Sequence, residues 1–255
     1  NGLFKSVING LNFMNPSQLS SVLMWFDANN GATILPDSTI DTWKNLVTSA
    51  ADAIQPNVAN KPKLISNICS LNNKNIVRFD GNDYLNIASG GNIRSAYALF
   101  NFTGGNVFPD FNALLTVTNG GSFNNYLYTF TSGTTSFETN GYFKSNTYVN
   151  GNQTSNLSPL SKYKIVSGLR DPLGVVTAPI LVLGAEVNSR FWIGDVAELI
   201  LSSNPNTTKS EFDSIHAYFY NKYGPPVTMQ DVVVNANFCD LVPITTPTCY
   251  TNYTW

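Results

Sequence analysis

Two carboxylates stand three residues apart in the apolar run Phe191-Trp-Ile-Gly-Asp-Val-Ala-Glu-Leu-Ile-Leu201. Paired carboxyl groups on one strand face can flank a glycosidic bond as nucleophile and acid. Side chains alternate along a regular strand, so an offset of three sends Asp195 and Glu198 to opposite faces. The spacing therefore predicts anchoring roles, with Glu198 holding a loop or the final helix and Asp195 starting the last strand. A bulge would return the two to one face. His216 is the lone histidine. No Gly-x-Ser-x-Gly elbow accompanies it, and a solvent-edge or hydrogen-bonded helix histidine is expected there rather than a catalytic base.

Oxygen-bearing side chains gather at Asp80-Gly-Asn82-Asp83. Such a turn can hold calcium through Asp and Asn oxygens. Its side chains can equally satisfy turn amides, which is the favoured reading. Asp27 with Asn29 and Asn30 is a second acidic option. For sugars, the segments Gly121-Ser-Phe-Asn124-Asn125-Tyr126 and Thr139-Asn140-Gly-Tyr142 offer aromatic faces rimmed by amides. Asn124, Asn125, Tyr126, Asn140 and Tyr142 are the ligand-binding candidates, with hairpin or core packing as the alternative. Of three cysteines, Cys239 and Cys249 are ten apart in a Pro/Thr-rich segment and are read as a disulfide pair, which implies an oxidising compartment. Cys69 is left as a spare thiol. One histidine and no Cys-x-x-Cys argue against zinc.

The elements that must position these groups follow from periodicity and punctuation. Thr208 and Glu211 have capping-box spacing, and Phe212, Ile215, Phe219 and Tyr223 recur at helical intervals. Gly224 is expected to end that helix in the left-handed conformation before Pro225 and Pro226. Asn15 and Pro16 predict one short N-terminal turn of helix. Strands are expected at 76–80, 83–87, 95–102, 112–118, 125–131, 136–143, 146–150, 161–168, 179–183 and 191–201. Pairs such as Asn119-Gly120 and Asn140-Gly141 separate several of them as hairpin turns. Residues 28–75 are read as long surface excursions pinned by Trp43. The chain divides into a lead over 1–15, a sandwich over 16–224, and a linker with a C-terminal strand or tail over 225–255.

Composition fits one large β-domain. The chain has 255 residues, 43% hydrophobic, enough for a single sizeable core. Only 12% of residues are charged and the formal net charge is −2, so nucleic acid and anionic membrane surfaces are not the expected partners. No apolar run is long enough to span a bilayer. There are 34 Asn, and Asn-x-Ser/Thr sites fall at Asn101, Asn152, Asn156, Asn206 and Asn252. At this Asn, Ser and Thr content that number of sites is no more than chance supplies.

Leu23-Met-Trp-Phe-Asp-Ala-Asn29, Thr42-Trp-Lys-Asn45, Ile76-Val-Arg-Phe-Asp-Gly-Asn-Asp-Tyr-Leu85, Asn150-Gly151 and Gly194-Asp-Val-Ala-Glu198 occur in a recognisable order. In that order the chain, over roughly 22–224, resembles the laminin-G-like jelly rolls of the concanavalin A-like lectin and glucanase group. The resemblance implies an all-β, antiparallel two-sheet jelly-roll sandwich with a short N-terminal helix and one closing C-terminal helix. It also implies calcium as the cofactor to test. Glucanase relatives carry a Glu-x-Asp-x-Glu motif, and here Ile193 stands where the leading glutamate would be. The expectation is therefore a non-catalytic, extracellular module of an adhesin or a viral or phage fibre. Its partner would be a glycan or cell-surface receptor. The alternative is an assembly domain contacting neighbouring domains or identical subunits, with a glycoside hydrolase ranked last.

Overall fold

The computed structural model describes residues 15–18, 21–118, 126–137, 146–170, 176–186, 190–204 and 207–224. Asn124, Asn125, Asn140, Tyr142, Cys239, Cys249, the lead before Asn15 and the segment after Gly224 lie outside them.

Seventeen strands and one α-helix are described. The strands are Val22–Asp27 (β1), Ala32–Ile34 (β2), Ile40–Trp43 (β3), Ala53–Ile54 (β4), Lys63–Ile68 (β5), Lys74–Asp80 (β6), Leu85–Ile87 (β7), Gly91–Ile93 (β8) and Ser95–Phe102 (β9). They continue as Ala113–Thr118 (β10), Tyr126–Thr129 (β11), Thr147–Val149 (β12), Asn152–Gln153 (β13), Lys164–Leu169 (β14), Val176–Ala178 (β15), Ile180–Leu183 (β16) and Ile193–Ser202 (β17), before the helix Lys209–Tyr223 (α1). Two antiparallel sheets form the sandwich. Sheet A runs β13-β12-β14-β9-β17-β6-β5, with β1 also on β17, and sheet B runs β11-β10-β16-β7-β4-β3-β2. This is the expected all-β class with a closing helix.

Between the sheets lies the main core. Alternate residues of β9 point into it, namely Ala96, Ala98, Phe100 and Phe102, and they meet Phe108, Phe130 and Trp192. Phe108 and Phe130 stack at 4.5 Å, and Phe100 meets Trp192 edge-on at 5.4 Å. The other side chains of β9, Tyr97 and Leu99, face outward and join Ile76, Ile165, Ala197 and Ile200 in a second apolar cluster. The helix covers that cluster with Phe212, Ile215, Phe219 and Tyr223, the predicted face. Sheet A is thus buried on both sides, which is why β9 and β17 read as nearly continuous apolar runs.

Several local expectations need correction. The Thr208 hydroxyl accepts from the Glu211 amide, but the Glu211 carboxylate does not reach back; it accepts from the Tyr97 hydroxyl at 2.7 Å and the Asn204 amide at 2.7 Å. Tertiary donors outcompete the local cap. Gly224 sits at φ −56°, not in the left-handed region, so the helix ends by turning into extended backbone ahead of the prolines. Residues 28–75 hold four short strands rather than open excursions, each supplying an edge or link of a sheet. The N-terminal turn is as expected, with the Ser17 amide donating to Asn15 Oδ1.

Candidate functional site

The register of β17 decides which way its carboxylates point. Asp195 pairs with Asn101 and Val196 with Phe100, but Leu99 is opposite Glu198, leaving Ala197 as an extra residue. This β-bulge resets the alternation. Val196 and Leu199 enter the main core, Ala197 joins the outer cluster, and Asp195 and Glu198 both face outward on sheet A. The expectation of opposite faces is overturned, because one inserted residue changes the parity of the strand.

Asp195 is the centre of a polar row that crosses sheet A beyond the end of α1. Its cross-strand neighbour Arg78 donates from Nε to Oδ1 at 2.7 Å and from Nη2 to Oδ2 at 3.0 Å, and the Tyr163 hydroxyl donates to Oδ2 at 2.7 Å. The carboxylate is almost wholly buried while the guanidinium side chain is 46% exposed. Arg78 therefore presents an oriented, partly exposed cation held by a two-point clamp. Hydrogen bonding to Asp195 raises its pKa further, and burial together with the Asp195 charge raises that of the Tyr163 phenol. Asn101 completes the row, its Oδ1 buried without a hydrogen-bond partner among the described residues.

Glu198 lies under the C-terminal half of α1. Trp25 Nε1 at 2.6 Å and the Tyr218 hydroxyl at 2.9 Å donate to its Oε1, while Lys222 Nζ and the Tyr223 hydroxyl, both at 2.7 Å, donate to Oε2. Asp27, the cross-strand partner of Glu198, accepts from the same ammonium at 2.7 Å. Both carboxylates are fully buried. Burial pushes the Glu198 pKa up, and the Asp27 charge adds to the rise against the opposing Lys222. Burial acts on Asp27 too, but Lys222 and the Asn29 amides overcome it and hold that carboxyl below its usual range. Two acids sharing one ammonium thus differ in their hold on a proton. The cluster fulfils the expected anchoring role of Glu198 on the final helix.

A cavity of about 140 Å³ opens between these two polar groups. Its walls include Leu99, Ile165, Phe219 and Gly224, together with Tyr163, the partner of Asp195, and Tyr223, the partner of Glu198. It is smaller than the roughly 300 Å³ at which drug-sized sites begin, which suits a single small ring or one branch of a larger ligand.

Those sequence-predicted positions that are among the described residues fall elsewhere. Tyr126 begins β11, with its backbone opposite Thr116 at the edge of sheet B, far from the β17 carboxylates in the topology. Asp80 Oδ1 accepts from the Asn82 amide at 3.2 Å and Asp83 Oδ2 from the Asp80 amide at 3.0 Å, while Asn60 Nδ2 donates to the Asn82 carbonyl. These oxygens cap a turn, and no group of three His, Cys, Asp or Glu gathers as a metal set among the described residues. Calcium commonly takes six to eight oxygens, so the set fits it poorly. Around Asp27, the Asn29 amide and Asn30 Nδ2 donate to the carboxylate, and Lys222 supplies the cation in that second acidic option. His216 is buried, with Nε2 2.5 Å from Ser167 Oγ, as expected of a hydrogen-bonded helix histidine. Cys69 is disulfide-bonded rather than spare.

Sequence reasoning missed Arg78, Tyr163, Tyr218 and Lys222. Alternation of Val77 and Phe79 placed Arg78 on the outer face, but only the register across β6 and β17 brings it to Asp195.

No family model and no curated protein matches the chain. Among solved structures it is similar to a point mutant of a GH54 α-L-arabinofuranosidase soaked with 4-nitrophenyl α-L-arabinofuranoside, at 13% identity and a TM-score of 0.43, over 72% of this chain and 51% of that one. The match thus spans about half the length of that enzyme. This finding stands against the expected non-catalytic adhesin or assembly module: the similar structure is a glycoside hydrolase, the reading ranked last. The likeness concerns fold and transfers neither residue roles nor substrate.

Proposed function

We propose that this chain is a carbohydrate-active β-sandwich that takes a saccharide on the outer face of sheet A. The observation that carries the reading is the β17 bulge, which turns Asp195 and Glu198 to one face with a cavity between their tyrosine partners. Aromatic walls at Tyr163 and Tyr220 suit the apolar faces of a sugar ring, and the exposed edge of Arg78 suits its hydroxyls. The disulfide at Cys69 supports an extracellular or otherwise oxidising location.

The test is calorimetric titration with a panel of defined oligosaccharides. At least one should bind, and Arg78→Ala should weaken it by roughly tenfold, the loss of one charged hydrogen bond. A panel that leaves both heat and melting temperature unchanged rejects the reading.

Cleavage is a second reading, favoured by Glu198, whose raised pKa is the property a general acid needs. Its four donors and complete burial mean that Lys222 must move before a glycosidic oxygen can approach. Release of nitrophenol from chromogenic glycosides, abolished in folded Asp195→Asn and Glu198→Gln variants alike, identifies that activity. Activity surviving both substitutions places the chemistry elsewhere.

A further inference from the structure

A guanidinium can meet paired oxygens along more than one of its edges. In Arg78 one edge is taken: Nε and Nη2 donate to Asp195, which is almost wholly buried. The Nη1 side of the plane faces away from that carboxylate and carries no hydrogen bond among the described residues. The two-point clamp, itself braced by the Tyr163 hydroxyl on Asp195, orients this second edge before any ligand arrives. Lys63 is directly opposite Arg78 across the β5–β6 ladder. Leu64 packs into the main core and Ile65 into the outer cluster, so Lys63 shares the outer face with Arg78. It is exposed; it acts on Asp37 and Asp83 through space and closes no ion pair with either among the described residues. Like charges at such opposed positions repel. Asp195 offsets one of the two cations and leaves the other without a counter-charge in contact. Asp80, two residues further along the same side of β6, has its Oδ1 taken by the Asn82 amide and bounds the cationic patch toward the strand end.

We propose that Arg78 and Lys63 form an anion-binding subsite, and that the saccharide taken on this face is an acidic one, bearing a carboxylate or a sulfate ester. The second half of this proposal rests on the saccharide reading; the subsite itself does not. Its place in the fold agrees with that use. Tyr163 touches both regions, since its hydroxyl is on Asp195 and its side chain lines the cavity. A ligand that spans the two meets an aromatic wall and then an oriented cation. Carboxylate and sulfate share the chemistry that matters here, a fixed pair of oxygens with negative charge, which a guanidinium edge receives as two parallel hydrogen bonds. The Lys63 ammonium adds charge without a fixed geometry.

Isothermal titration of the full chain with matched pairs tests the subsite. The pairs are trisaccharides of galacturonate and of glucuronate beside their methyl esters, and a galactose trisaccharide with and without sulfate esters. At least one acidic form should bind roughly tenfold tighter than its neutral partner, the effect of one charge-assisted hydrogen bond, and the pair that shows it tells carboxylate from sulfate. The preference should fall at about 1 M salt, where the Debye length is about 3 Å. Arg78→Lys keeps the charge, loses the fork and should lose most of the preference. Lys63→Gln, an exposed change that leaves Asp195 clamped, should weaken the acidic form by no more than about fivefold. Glutarate, a carboxylate without a sugar ring, separates the two ideas, because it should shift the side-chain NMR resonances of Arg78. That shift in a protein that binds no saccharide supports the subsite and counts against the saccharide reading. Saccharides bound without acidic preference, together with no glutarate shift, overturn the subsite and leave the saccharide reading standing. A preference that survives Arg78→Lys undiminished overturns the assignment to Arg78.

Discussion

Asp27 and Glu198 face one another across the β1–β17 ladder and share the ammonium of Lys222, so the first strand, the last strand and the helix meet in one largely buried ion cluster. A lysine between two acids neutralises one charge; burial, with the neighbouring Asp27 charge adding to it, raises the pKa of Glu198.

Removing the shared cation should be costly. Lys222→Met leaves two carboxyls buried without their counter-charge, and a destabilisation of about 3 kcal/mol is expected in urea unfolding. Adding Glu198→Gln to Lys222→Met should recover part of the loss. A variant as stable as the wild type would show that the cluster is solvated.

His216 sets an acid limit on stability. Burial lowers its pKa to about 4, from an ordinary 6.5. A depressed folded value means that the contribution is complete above pH 6.5 and disappears as pH falls through about 4. The His216 share of the urea midpoint should therefore be lost over that window, and His216→Gln should remove that share of the pH dependence.

Asp83 works in the opposite direction. Burial raises its carboxyl to about 6, and the neighbouring Asp80 charge contributes. A raised folded value gives a contribution that is complete below pH 3.8 and is lost as pH rises through about 6. The two groups oppose each other between pH 4 and 6, so the wild-type profile should be shallower than that of either variant. In Asp83→Asn the acid loss due to His216 should stand out; in His216→Gln stability should rise on acidification from pH 6.

Gly184 should tolerate no side chain. It lies at φ +95°, and a Cβ there would sit 2.4 Å from the Phe79 ring and 3.0 Å from the Asp83 carbonyl. Left-handed strain and overpacking together predict a loss of at least about 2 kcal/mol for Gly184→Ala. A melting temperature unchanged by the substitution would contradict this packing.

What could be read in the sequence was whatever burial imprints locally. The buried face of α1 repeats every three or four residues, and β9 alternates Ala and Phe inward with Tyr97 and Leu99 outward, so both elements were visible. Strands β2 to β4 were not, because two to four residues with Ile34 and Ile54 exposed leave no period to detect. The site was hidden for a different reason. Asp195, Arg78 and Tyr163 come from positions up to 117 residues apart, and only the cross-strand register joins them. The bulge at Ala197 is likewise a property of two strands, since nothing in Asp-Val-Ala-Glu announces an extra residue.

The central position of β17 in sheet A also governs how the protein is made. The strand occupies residues 193–202 yet joins β9 to both β6 and β1, so the early strands have no partner for their inner edges until residue 202 has left the ribosome. At typical synthesis rates of about 5–20 residues per second, nascent β1 and β6 wait many seconds with unsatisfied edges. Newly made chains should therefore depend on chaperones that shield exposed strands until β17 has been synthesised.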